Sequence, residues 1–375
     1  MNLSPSSKTS PYQRRTFVLK DCSNSQLIKY KKLTGLYFNL TIHFSMDPRG
    51  FTELCKRLKT LKYLNTLYLN FSSAYHELDN RSLRELSFAL RKLHSITVLT
   101  LNFKNNRNIT GEGIAELLKT VKKNRFLSEL YIDFSECGEV SEQHLESIYI
   151  SISSMKLLTS LHINYFRLPP HFRSGGQLAN NLIKLRRLTL LKDFSIDFKL
   201  CNGLKSNDLI ALSKSIRRMA RLTKLFFSSV SSLCCTQISL ESLINSLQSL
   251  SKLQKLHLEF LKYEYNPTCF EMIFKAFENS PTLSDLILDF SHSYITSFVI
   301  KNLLLSLRTL TNLSKLDVKF PHCKYADNAI IQYLGQGISS LTDLSSLKLN
   351  FDQCSAINKE GLIHIANALK NLTSL

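Results

Sequence analysis

The stretch Leu64–Phe71, LNTLYLNF, returns with small changes as LSELYIDF at Leu127–Phe134 and as LQKLHLEF at Leu253–Phe260. Aligned on the closing aromatic, the copies end at Phe44, Phe71, Phe103, Phe134, Tyr165, Phe198, Ser229, Phe260, Phe290, Phe320 and Phe351. The intervals are 27, 32, 31, 31, 33, 31, 31, 30, 30 and 31 residues. A period this constant means that one supersecondary unit is stacked many times, and it excludes an ordinary globular core.

The shared grammar is L-x-x-L-x-L-x-F. Apolar residues two and four before the aromatic, such as Leu67 with Leu69 or Leu286 with Leu288, alternate as in a strand with one buried face. The rest of each repeat has helical spacing. Gly113–Phe126 carries Ile114, Leu117, Leu118 and Val121, and Ser206–Leu222 carries Leu209, Leu212, Ile216 and Met219. Helix starts are expected at Asn80, before RSLRELSFAL, and at Asn207 with Asp208, before LIALSKSI. One short strand and one helix of about three turns cannot bury both their faces alone. Stacked side by side, such units give a parallel sheet under a layer of helices.

On these residues the chain resembles leucine-rich repeat solenoids of the ribonuclease-inhibitor type, from about Tyr37 to Leu375. The resemblance implies an α/β horseshoe of about eleven strand–helix units, with the sheet on the concave face and the helices on the convex face. Residues 1–14 are then a disordered tail. Residues 15–36 form a degenerate capping unit containing Phe17–Leu19 and Leu27–Tyr30. Residues 37–375 form the solenoid, its last repeat incomplete because Asn371–Leu375, NLTSL, opens a further strand.

The family places Asn or Cys three residues after the second strand leucine. Here Ser72, Lys104, Ser135, Ser291, Pro321 and Asp352 stand there, so the loops are expected to depart from the family form. Cys137, Cys201, Cys323 and Cys354, each three residues after the column aromatic, are expected to be small buried loop residues. Ser229 predicts either a local register shift or a gap in the aromatic column. LPPHFRSGGQ, Leu168–Gln177, reads as a rim insertion.

The chemistry of most enzyme classes is missing. There is no G-x-x-x-x-G-K-[ST], G-x-S-x-G or H-E-x-x-H. The Gly-Gly at Gly175 lacks the Lys of a phosphate loop, and Cys234-Cys235 lacks a C-x-x-C partner for zinc. No catalytic residue, metal, cofactor or small-molecule substrate is therefore expected. No apolar run approaches 18 residues, and the polar start MNLSPSSKTSPYQRRTF has no apolar signal segment. With nine cysteines and no export signal, the thiols are expected to be reduced, in the cytoplasm or the nucleus.

Two surfaces could bind a partner. Across the strands, the outward positions hold eight acidic residues and five lysines, a net −3 within a chain of net +19. Tyr68, Tyr131, His162, Phe226, His257 and Ile287 occupy the central outward position, with Asp133, Asp197, Glu259 and Asp289 beside them. Aromatics on a rigid sheet make good protein-binding anchors. The cations gather at helix ends instead: Lys119, Lys122, Lys123 and Arg125, then Arg186 and Arg187, then Arg217, Arg218 and Arg221. They satisfy helix dipoles, and stacking would also align them as a basic ridge.

The leading expectation is a non-catalytic scaffold that binds another protein on the sheet face. The alternative is a binder of RNA or an acidic protein surface through the ridge, for which steep loss of affinity with salt is the signature. A third is a regulatory repeat region of a larger signalling protein. Some solenoids of this type activate GTPases, but those carry an acidic tail that is absent here.

Overall fold

The computed structural model describes residues 16–19, 33–39, 48–72, 77–164, 177–199, 204–230, 236–263, 268–278 and 280–375. Twelve described strands form one parallel sheet, each lying beside its predecessor in the chain. They are β1 (Thr16–Leu19), β2 (Gly35–Asn39), β3 (Thr66–Asn70), β4 (Val98–Asn102), β5 (Glu129–Asp133) and β6 (Ser160–Asn164). The sheet continues with β7 (Asp193–Phe198), β8 (Lys224–Val230), β9 (Lys255–Leu261), β10 (Asp285–Asp289), β11 (Lys315–Lys319) and β12 (Ser346–Asn350).

From β2 onward each strand is followed by a helix. These are α1 (Pro48–Leu58), α2 (Asn80–Leu90), α3 (Gly111–Val121), α4 (Glu142–Ser153), α5 (Gln177–Leu182) and α6 (Ser206–Ile216). Then come α7 (Gln237–Gln248), α8 (Thr268–Lys275), α9 (Ser297–Leu307), α10 (Asn328–Ile338) and α11 (Lys359–Leu369). A 3-10 turn at Ile183–Arg187 prolongs α5. The result is an open α/β repeat solenoid.

Alternation decides which face is buried. In β4, Leu99 and Leu101 are buried while Val98, Thr100 and Asn102 are only half covered. The register repeats this from β2 to β11, so Leu67, Leu99, Leu130 and Leu161 form one buried row and Leu69, Leu101, Ile132 and Ile163 the next. Inward helix residues such as Ile114, Leu117 and Leu118 close on those rows, and one continuous core runs the length of the stack. Among the described residues, the other face of the sheet carries no helix.

The column aromatics stack as the repeat predicts. Ring centroids lie 5.4 Å apart for Phe71–Phe103, 5.5 Å for Phe103–Phe134, 5.7 Å for Phe290–Phe320 and 5.6 Å for Phe320–Phe351. At Ser229 the register does not shift, because Ser229 pairs with Phe198 on one side and Phe260 on the other. The column has a gap there. The Tyr263 ring packs 5.5 Å from Phe260, and its hydroxyl meets the buried Ser229 hydroxyl at 2.8 Å. The Ser229 hydroxyl thus gives the buried phenol a polar contact where a Phe would give none.

Three expectations need correction. The strand that pairs with β3 is β2, and Phe38 stands opposite Leu69, a step of 31 residues. The interval of 27 counted from Phe44 is therefore not the repeat, and Phe44 itself lies outside the described residues. The helix caps lie one to three residues earlier than read: Asp79 caps α2, and Lys205 precedes α6 with its N–H donated to Asp208. Asn80 instead bridges repeats, donating to the Thr110 hydroxyl and accepting the Thr110 N–H, both at 2.9 Å. Asn328 does the same with Asn358.

The third correction concerns the loops. The polar bond that the sequence seemed to lack is present, three residues after the aromatic rather than one. Asn106 donates to the Phe71 carbonyl at 2.9 Å. Cys137, Cys323 and Cys354 donate to the carbonyls of Phe103, Phe290 and Phe320 at 3.1, 3.2 and 3.0 Å, and Ser293 to that of Phe260 at 3.0 Å. Each bond ties a loop to the repeat before it and satisfies a buried carbonyl. These cysteines are buried free thiols, and burial pushes Cys137 and Cys323 up to about 12.

At the N-terminal end, β1 holds Phe17–Leu19 and pairs with β2, which spans the expected 36/37 boundary. Residues 1–14, Leu27–Tyr30, Tyr165, positions 168–176 of the rim insertion and Cys201 lie outside the described residues.

Candidate functional site

The bare face of the sheet is three parallel rows of side chains, one residue from each strand in each row. The register places Tyr37, Tyr68, Thr100, Tyr131, His162, Ser195, Phe226, His257, Ile287, Asp317 and Lys348 in the central row. All six aromatic and apolar positions read from the sequence are therefore in one line, each half-buried.

The line is not uniform. It breaks into aromatic pairs: Tyr37–Tyr68 at 5.4 Å, Tyr131–His162 at 6.0 Å and Phe226–His257 at 4.6 Å between ring centroids. Thr100 separates the first pair from the second, and Ser195 the second from the third. Each small residue leaves a notch about two strand spacings, roughly 10 Å, across. Tyr37 is absent from the sequence-derived set because its strand was displaced. Its signal was present all the same, 31 residues before Tyr68.

The row at the strand ends has a structural task. Asn70, Asn102, Asp133, Asp197, Asp289 and Asn350 each accept the backbone N–H two residues on, at 2.8–3.0 Å. These are Asx turns, which Asn and Asp favour for their short acceptors. Three residues past the row the chain turns left-handed, at Asn105, Glu136, Lys262, His292, His322 and Gln353, with φ between 58° and 67°. Asp133, Asp197 and Asp289 thus steer the chain off the sheet, and only part of each carboxylate is free to meet a partner.

Glu259 is different. It is 7% exposed, and Lys199 Nζ reaches it at 2.6 Å from two strands away while His257 Nε2 approaches at 3.1 Å. Small Ser228 lies between Asp197 and Glu259 in the row. Burial alone would raise the Glu259 carboxyl, but His257 and Lys199 overcome it and hold it at about 2. Burial raises Asp197, against the N–H and charge of Lys199. Burial and then Asp133 push Tyr131 up to about 12, so its hydroxyl stays neutral, and it accepts from Asn164 at 3.2 Å. Burial lowers His162 below its ordinary value, against the pull of Asp193 at 3.6 Å.

Most of the other charges on this face pair with one another. Lys224 meets Asp193 at 3.5 Å and Lys255 meets Asp285 at 3.1 Å. Lys319 lies 4.0 Å from Asp289 and 3.8 Å from Asp317. His162 and His257 sit three strands apart, about 14 Å, so they do not act together. Among the described residues, no cluster of three His, Cys, Asp or Glu side chains could hold a metal, and no helix is long and apolar enough to cross a membrane.

The cations occupy the edge where helices hand over to strands. None of the seven connections from α1 to β9 contains an acidic residue. Lys119 lies in the last turn of α3, Lys122 caps it, and Lys123 and Arg125 follow. Arg186 and Arg187 are in the 3-10 turn, Arg217 caps α6, and Arg218 and Arg221 follow. Eight of these nine are exposed, Lys122 partly so, and none makes an ion pair with a described residue. Between the group at α3 and the group at α5 and α6, the α4–β6 connection carries a single cation, the exposed Lys156.

Fold and surface together define an α/β repeat solenoid with one bare sheet face and one cationic edge. No family model matches the chain. Over 145 residues it is 26% identical to the protein phosphatase 1 regulatory subunit 37 homolog of Caenorhabditis elegans, a match that takes in 38% of this chain and 15% of that protein. It is also similar to a chain in the crystal structure of the Rad7 and Elc1 complex in yeast, at 15% identity and a TM-score of 0.41, over 85% of this chain and 79% of that one.

Proposed function

We propose that this chain is a non-catalytic protein-binding scaffold of the leucine-rich repeat type, with its partner seated on the bare face of the sheet. The observation that carries this reading is the central row. Three aromatic pairs flank two notches on a surface that no described helix covers. Rigid aromatics beside a recess are the features that concentrate binding energy at protein interfaces. The pairing of most face charges adds to this, because a partner need not neutralise them before it docks. A regulatory role within a larger signalling protein is supported by the phosphatase-regulator relative, and protein phosphatase 1 belongs among the partners tested.

The test is capture of partners from extract by the full chain and by its Tyr131→Ala and Phe226→Ala variants, at low and at 0.5 M salt. Proteins that bind the face are lost from both variants and survive the salt. Equal capture by all three chains would sink the reading.

A second reading rests on a separate observation. The nine edge cations lack ion-pair partners among the described residues, which favours an acidic surface docking at the edge. Its signature is affinity that falls steeply with salt.

A further inference from the structure

A cavity of about 420 Å³ opens on the cationic edge, between the connection that leaves α2 and the one that leaves α3. Its floor is aliphatic, made by Leu90, Leu93, Ile96, Val121 and Leu127. Its rim is cationic, with Arg91, Lys123 and Arg125 exposed around it and the exposed His94 beside them. Phe126, 64% exposed, stands at the mouth. Arg91 lies over the exposed Phe88 ring, 5.4 Å from its centroid, which extends the apolar rim along α2.

We infer that this cavity takes an acidic peptide segment of a partner protein, with one bulky apolar side chain inserted between flanking carboxylates. The inference deepens the second reading above and does not depend on the sheet face. Two features choose this occupant over RNA, which the rim charge alone would also attract. The floor offers aliphatic contacts, and a nucleobase needs partners for its polar edge. Apart from His94, which stands at the rim with the cations, the uncharged polar residues lining the cavity are Asn124 and Thr120. Thr120 is buried, and Asn124 is engaged at both ends, donating to the Leu93 carbonyl and accepting the Phe126 N–H at 3.1 Å. An aliphatic or aromatic side chain meets no such demand. The cations around it have no carboxylate of their own to leave, because the connections on either side hold none.

The test uses the full chain and a fluorescein-labelled twelve-residue peptide of Asp and Glu with one central Leu, read by fluorescence polarisation. The same peptide with Ala for Leu, and an oligouridylate of equal charge, are the comparison probes. The Leu peptide should bind about ten-fold more tightly than the Ala peptide and more tightly than the oligouridylate. Lys123→Glu with Arg125→Glu should weaken it at least ten-fold. Phe126→Ala, which removes only an exposed ring, should weaken it about three-fold. Arg308→Glu, an exposed cation at a distant connection, should change it less than two-fold. Circular dichroism melts confirm that each variant is folded. Equal binding of the Leu and Ala peptides, tighter binding of the oligouridylate, or equal weakening by Arg308→Glu and by the rim pair would each overturn the proposal. Partner loss on sheet-face substitutions is read separately, so failure here is distinguishable from failure there.

Discussion

The bare sheet face and the cationic edge are built from the same repeats, yet they treat charge in opposite ways. On the face, Asp193, Glu259, Asp285 and Asp289 sit against Lys224, Lys199, Lys255 and Lys319. On the edge, Lys119, Lys122, Lys123, Arg125, Arg186, Arg187, Arg217, Arg218 and Arg221 make no ion pair with a described residue, whereas Lys184 beside them meets Glu146 at 3.1 Å. The sum of charges therefore says little about either surface. The face is nearly self-neutralised and presents aromatics, so its affinity should come from burial. The edge presents uncompensated charge, so its affinity should be electrostatic and screened by salt.

The largest expected effect breaks the face directly. Removing both rings of one pair, Phe226→Ala with His257→Ala, should weaken the captured partner by about 2–4 kcal/mol, a loss of roughly thirty-fold or more in titration calorimetry. A loss smaller than three-fold would mean that the rings are cross-strand packing only.

Next comes the buried charge. Glu259→Gln leaves Lys199 and His257 without their anion and should cost on the order of 2 kcal/mol in urea denaturation at pH 7. The folded carboxyl is held at about 2, below the 4.5 of an ordinary Glu, so its contribution is present above pH 4.5 and is lost as pH falls toward 2. The gap between wild type and variant should close over that window. A gap that stays constant to pH 2 would rule out the ion pair as its source.

Close packing between repeats sets a third prediction. A Cβ at Gly113 would lie 2.5 Å from Asn80 Oδ1, the atom that bridges α2 to the next repeat. Gly113→Ala should cost about 1–3 kcal/mol, read by thermal melting, and Gly113→Ala with Asn80→Ala should cost less than the sum of the two.

The smallest effect is expected at the edge. Arg217→Ala with Arg218→Ala should leave stability within about 0.5 kcal/mol, because both side chains are exposed and neither makes an ion pair with a described residue. A larger loss would show that they cap their helix more strongly than their exposure suggests.

The repeat itself was legible. Period and alternation give the parallel sheet, the helix layer and the register of most strands, because each buried Leu or Phe recurs at the same step. The central row followed from that register, which is why Tyr68, Tyr131, His162, Phe226, His257 and Ile287 fall into line. What stayed hidden depends on side-chain reach. Lys199 follows its strand and reads as a loop cation, and only the small Ser228 beside it lets it cross to Glu259. The loop cysteines share a repeat position that the sequence shows, but Asn106 and Ser293 at the same position do not resemble them, and the backbone carbonyls that all of them satisfy belong to the repeat before. The first strand was misplaced because Phe44 offered a better match to the motif than the weaker pattern at Gly35–Asn39.

The most direct measurement is site-specific photocrosslinking to the captured partner. A photoreactive phenylalanine is placed in turn at His162, beside the Ser195 notch, and at Arg218, on the edge. The account predicts a crosslinked partner from position 162, undiminished at 0.5 M salt, and none from position 218 at that salt. A partner that crosslinks from 218 but never from 162 would contradict it.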